Sequence, residues 1–161
     1  MLELKVEGYS DTVLNLLDAQ GLKVARNLDM DLPHIPEDIT SIDAAELMHL
    51  ASQYIEYRGF LETQVALAKN AEKEAEASYD QLVNRKTLEL STGKSTEKAT
   101  ILKASVAVDP SVEALHSVFL QTHMYRNTLE SYLDKIDAYH WLINSEVKRR
   151  SGYTAVNRYT A

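Results

Sequence analysis

The C-terminal residues Lys148, Arg149, Arg150, Tyr153, Arg158 and Tyr159 interleave cations with aromatic rings. Single-stranded nucleic acid offers phosphates to the cations and unstacked bases to the rings, so this combination suits a single-strand binder. A second basic set, Arg85, Lys86, Lys94, Lys98 and Lys103, surrounds a polar loop at residues 91–95. The chain as a whole carries a net charge of −7, which argues against indiscriminate coating of nucleic acid. Its distribution differs from its total. Residues 84–103 hold five basic and two acidic side chains, and residues 148–161 hold four basic and none acidic. Residues 1–46 are the opposite, with three basic and ten acidic. Two readings of the basic stretches stand side by side: anion-binding patches, or the ordinary placement of lysine near loops and helix C-termini through the helix dipole. On the first, the nucleic-acid contacts are Lys94, Lys98, Lys103, Lys148, Arg149, Arg150, Tyr153, Arg158 and Tyr159.

Other chemistry finds less support. Gly93-Lys94-Ser95-Thr96 looks like the end of a phosphate loop, but that motif needs a glycine where Leu88 stands and a strand before it. The histidines are His34, His49, His116, His123 and His140. No two have i,i+4 spacing, and none sits in a metal-ligand pattern. His140 falls within an apolar seam, as a packed, hydrogen-bonded residue would. Pairs such as Glu72/Glu76 and Asp134/Asp137 read as solvated helix charges. There is no cysteine, which excludes disulfides and thiolate metal sites. No nucleophile–base–acid set can be picked out. The expectation is a non-enzyme with no cofactor and no metal.

The elements that must position the basic residues are helical. Asp43 and Glu46 have capping-box spacing, placing a helix start near Thr40–Asp43. From there Leu47, Tyr54, Leu61, Ala68, Ala75 and Leu82 recur every seven residues up to about Leu90. Leu50 and Tyr57, then Val65 and Tyr79, fill the intervening positions. Gly59 inside this helix suggests a bend or a tight crossing. A short helix is predicted around Glu97–Val108. Asp109-Pro110 reads as an N-cap followed by a first-turn proline. The last helix follows a 3–4 repeat through Val112, Leu115, Phe119, Thr122, Arg126, Leu129, Leu133, Ile136, His140, Ile143 and Val147. Val118, Tyr125, Tyr132 and Tyr139 run beside it at seven-residue spacing. Ser151-Gly152 is expected to end this helix.

The predicted fold is all-α: a long antiparallel helical hairpin of coiled-coil type, with a small N-terminal lead-in. Three parts are expected: an acidic lead-in over 1–42, the hairpin over 43–150, and a basic-aromatic tail over 151–161. In the lead-in, Leu2, Leu4 and Val6 alternate as in a strand, and LKVA at 22–25 is a candidate second strand. Ser10 can cap a short helix that Gly21 stops, and DLPHIPED is an extended connector. The lead-in either docks on a neighbour or covers its own hairpin. The apolar-plus-tyrosine face is wider than two helices need, so an oligomeric bundle or ring is expected. Its contacts would be Phe119, Tyr125, Arg126, Leu129, Tyr132, Leu133, Ile136, Tyr139 and Ile143. Arg126, at a seam position, would snorkel, pair across subunits or touch a ligand.

An apolar content of 45% suffices for a core, and no run approaches the ~18 apolar residues of a membrane span. The N-terminus lacks the basic-then-apolar order of a signal peptide. A cytoplasmic location, in the host cell if the protein is viral, is expected.

The stretch SIDAAELMHLASQYIEYRGFLETQVALAKNAEKEAEASYDQL, the polar loop, the VDPSV break and a second long helix ending in VKRRSG resemble the UvsY-type recombination mediators of tailed phages. The resemblance covers about residues 40–152 and is one of layout and pattern. It implies a ring-forming helical protein that binds single-stranded DNA. It also implies a recombinase and a single-strand-binding protein as partners. Family members carry basic residues in the first long helix, where this chain has Lys69 and Lys73 among Glu72, Glu74 and Glu76. The alternative is a structural subunit of a phage particle or its assembly machinery, without a nucleic-acid role. A regulatory adaptor working through the acidic lead-in is a third class.

Overall fold

A computed structural model describes residues 9–21, 31–93 and 99–159, giving the backbone alone at 9–11, 92–93, 99 and 153–159. All regular structure among these residues is helical: α1 (Tyr9–Ala19), α2 (Ala44–Gly93), α3 (Ala99–Ala107) and α4 (Pro110–Tyr159). No helix among them is long and apolar enough to cross a membrane. The strands expected at 1–6 and 22–25 lie outside the described residues.

The helix starts are written in local chemistry. Asp43 Oδ1 accepts the Glu46 amide at 2.8 Å, satisfying one of the donors that a helix N-terminus leaves free. Asp109 does the same for α4, accepting the Ser111 amide at 2.9 Å, with Pro110 at the first helical position. α1 ends as expected, with Gly21 at φ +80°, a conformation that costs glycine little.

Two helix ends differ from the sequence-based expectation. α2 runs past Leu90 to Gly93, and α4 runs through Ser151-Gly152 to Tyr159. A single glycine in a helix interior costs about 1 kcal/mol relative to alanine, which weakens a helix without ending it. Gly152 has no positive φ, the feature that would mark a C-terminal stop. The basic-aromatic tail is therefore helical through Tyr159. Of the two roles expected for Gly59, the tight crossing is not found. A Cβ built there would meet nothing within 4 Å, so no close helix crossing requires this glycine.

The chain divides into two compact units, and each long helix contributes to both. Unit 1 comprises residues 1–24 and 65–128, and unit 2 comprises residues 25–64 and 129–161. In unit 2 the core is Leu47, Leu50, Ala51, Tyr54, Leu61, Ile136 and Ile143, with Ile35, Ile39 and Ile42 packed on it. The lead-in thus covers its own helices here. Tyr54 is fully buried, meets Tyr139 edge-on at 5.9 Å, and donates its hydroxyl to the Pro33 carbonyl at 2.7 Å. Burial pushes the Tyr54 phenol up to about 12, so it remains a donor. In unit 1, Leu82, Val106 and Val112 form the core with Tyr79, Val83 and Leu115 around it, joining α3 to both long helices. The seven-residue row from Leu47 to Leu82 is buried at every position.

Candidate nucleic-acid interface

Unit 1 holds the described loop-side cations, Arg85, Lys86 and Lys103. Arg85 and Lys86 line an open groove of about 720 Å³ together with Ser78, Gln81 and Ser111. Arg85 is mostly exposed and lies 4.0 Å from Glu89, one helical turn on. Lys86 is more enclosed, and its Nζ lies 2.9 Å from Asp109 Oδ2. Hydrogen bonds from Ser111 and Lys86 hold the Asp109 carboxyl well below the usual carboxylate range, so this cap stays charged. Lys103 is exposed on α3. Lys94 and Lys98 lie outside the described residues.

The rest of unit 1 shows how its helices are paired. Glu72 lies between two basic side chains, with Oε1 2.6 Å from His123 Nδ1 and Oε2 2.5 Å from Arg126 Nε. The hydrogen bonds from His123 and then Arg126 lower the Glu72 carboxyl below its ordinary value. Asn127 Nδ2 sits 3.0 Å from His123 Nε2, on the other side of the ring. Arg126 therefore finds its carboxylate within the chain, rather than only at a subunit boundary. Tyr79 and His116 stack with centroids 5.2 Å apart.

In unit 2 the C-terminal cations divide. Lys148 is exposed. Arg149 forks onto Glu146, with Nε 2.6 Å from Oε2 and Nη2 2.6 Å from Oε1. Arg150 Nε donates to Glu146 Oε1 at 2.7 Å. Its other nitrogens reach the carbonyls of Ile42 at 2.9 Å and of Ile39 and Thr40 at 3.2 Å. The spacing of Glu146 to Arg149 and Arg150, three and four residues, is the signal by which sequence reading could have found this cluster. Nothing local announces the carbonyls, because they lie more than 100 residues away along the chain. Tyr153, Arg158 and Tyr159 fall in the last turns of α4, with side chains outside the described ones.

The residues expected to mediate oligomerisation also divide. Ile136 and Ile143 are fully buried within unit 2, and Leu129, Leu133 and Tyr139 pack against the same core. Phe119 is half-buried in unit 1, 6.2 Å from His123. Tyr125 and Tyr132 remain 54% and 52% exposed, and Leu120, Met124 and Trp141 on the same helix are exposed too. His140 is half-buried with Asn144 Nδ2 3.0 Å from its Nε2, as expected of a packed seam histidine. Among the described residues no group of three or more side chains is placed to hold a metal ion.

The paired carboxylates should make the fold acid-labile. Arg149 first, then Arg150, pull the Glu146 carboxyl from 4.5 down to about 2. A carboxylate lowered by folding contributes stability that is complete above its ordinary value and is lost as pH falls through its folded value. The thermal midpoint followed by circular dichroism should therefore drop between about pH 4.5 and pH 2. In Glu146→Gln, the part of the drop due to this group should be missing. A midpoint that drops equally in both proteins would remove Glu146 as a source.

No protein-family model, curated protein or solved structure matches this chain.

Proposed function

We propose that this chain is an oligomeric accessory protein of phage DNA recombination that binds single-stranded DNA and assists recombinase loading. The observation that carries the DNA part is the open groove of unit 1. Its exposed Arg85 belongs to the same basic stretch as Lys94, Lys98 and Lys103. An open, cation-lined groove suits a strand that is tracked by its phosphates rather than read by sequence. Lys148, Tyr153, Arg158 and Tyr159 on the extended end of α4 form the second candidate set. The pairings support the antiparallel hairpin expected of such a protein. In unit 1, Glu72, Tyr79 and Lys86 meet His123, His116 and Asp109, so each heptad forward on one segment is a heptad back on the other. In unit 2, Tyr54 and Arg58 meet Tyr139 and Asp137 in the same opposed order. The recombinase and single-strand-binding protein enter as partners through the resemblance of layout.

A second reading, a structural or assembly subunit, is favoured by the internal pairing of Arg126, Lys86, Arg149 and Arg150. Fluorescence anisotropy with labelled single-stranded DNA separates the two. The recombination reading expects retention at low salt that weakens as salt rises. Lys94→Ala, Lys98→Ala and Lys103→Ala together should lower the log–log salt slope by roughly 0.7 for each lost phosphate contact, up to roughly 2. Absence of any retention at low salt would leave the assembly reading in its place.

A further inference from the structure

The Glu146 carboxylate is 6% exposed and lies between two guanidinium groups that differ in how they are held. Arg150 is 25% exposed and spreads its donors over Glu146 and three backbone carbonyls. Those carbonyls belong to the non-helical segment before α2. That segment is closed on itself by the Thr40 amide and hydroxyl, which donate to Asp38 Oδ1, and by the Ser41 hydroxyl, which donates to the Asp38 carbonyl. Its Ile39 and Ile42 lie on the unit 2 core. Arg150 thus fastens residues 39–42 in place. Arg149 is 51% exposed and grips the same carboxylate with a two-pronged fork. A guanidinium fork takes the paired oxygens of a carboxylate or of a phosphate with the same geometry. The half-exposed fork of Arg149 is therefore the one that can change partners.

We propose that Glu146 is an internal competitor for phosphodiester anions: it occupies the fork of Arg149, and a phosphate can take that fork only by displacing the carboxylate. This rests on the single-stranded DNA reading above and adds a regulatory contact to its C-terminal site.

The test is a double-mutant cycle on the full chain, with single-stranded DNA and inorganic polyphosphate as separate probes. Arg149→Ala alone should weaken binding of both by no more than about three-fold, because Glu146 competes for that side chain. Glu146→Gln should tighten binding roughly ten-fold, the scale of one charge-assisted hydrogen bond released to a ligand. It should also steepen the salt slope by roughly 0.7 on DNA. Adding Arg149→Ala to Glu146→Gln should abolish that gain. A gain that survives Arg149→Ala would overturn the proposal, as would no gain in a Glu146→Gln protein with unchanged helicity. If Glu146→Gln does not fold, a loss of more than about three-fold from Arg149→Ala alone overturns it. Gain on polyphosphate without DNA binding sinks the DNA reading and keeps the competition by Glu146, and binding of neither probe to any variant sinks both.

Discussion

Ile143→Ala should destabilise the protein by about 2–5 kcal/mol, whereas Trp141→Ala, two residues away and a larger truncation, should stay within about 0.5 kcal/mol in the dissociated chain. Ile143 has no exposed surface and belongs to the cluster of Leu47, Leu50, Ala51, Tyr54, Leu61 and Ile136. Removing its branched end takes away apolar burial and leaves a cavity that helices anchored by Tyr54 cannot collapse to fill. Trp141 is 71% exposed and so has little to lose. Urea unfolding followed at the helix band, at one protein concentration, measures both. The midpoint should move for Ile143→Ala, and the slope should not. Trp141 is the chain's one tryptophan, so its emission reports separately on that face. Equal costs at the two positions would mean that α4 presents a different face to the unit 2 core.

How far the sequence could be read depends on how local each cause is. The row Leu47, Tyr54, Leu61, Ala68, Ala75 and Leu82 is buried throughout, because period-seven apolarity is a property of the residues themselves. Asp43 and Asp109 were legible as helix starts for the same reason: cap and capped amide are two or three residues apart. The end of α4 was not legible at Ser151-Gly152. A glycine shifts the local balance by about 1 kcal/mol, and neighbouring turns outweigh it. The loop-side and C-terminal basic stretches were visible as charge, but charge does not say who neutralises it. Glu146 lies within one turn of Arg149 and Arg150, so their pairing was available from spacing. The carbonyls of Ile39, Thr40 and Ile42 became available to Arg150 only through the fold. In sequence, the tyrosine row beside the α4 seam looks like one contact face. In the folded chain Tyr139 is half-buried beside Tyr54, while Tyr125 and Tyr132 stay outside.

That division gives the prediction with the largest effect on assembly. Self-association should place Tyr125 and Tyr132 at the subunit contact, because they are the members of the α4 tyrosine row that the chain leaves more than half exposed. An aromatic side chain buries about 150–250 Å² when fully covered, so covering the exposed half of one ring removes on the order of 100 Å² from water. At about 25 cal/mol per Å² that is roughly 2.5 kcal/mol per ring, before the costs of association. The double variant Tyr125→Ser and Tyr132→Ser should therefore raise the dissociation constant by at least about 100-fold, equivalent to about 2.7 kcal/mol. Helicity should be retained, since neither ring belongs to the buried cores. The comparison is Ile136→Ala, whose side chain is fully buried within unit 2. That change should lower the unfolding free energy and alter assembly only through loss of the fold. Sedimentation at micromolar concentration, read beside circular dichroism, separates the two effects. The parent should sediment as an oligomer and the tyrosine variant as a folded smaller species. If the tyrosine variant sediments like the parent, subunits meet elsewhere on the chain; if the parent is monomeric at those concentrations, the oligomeric reading fails with it.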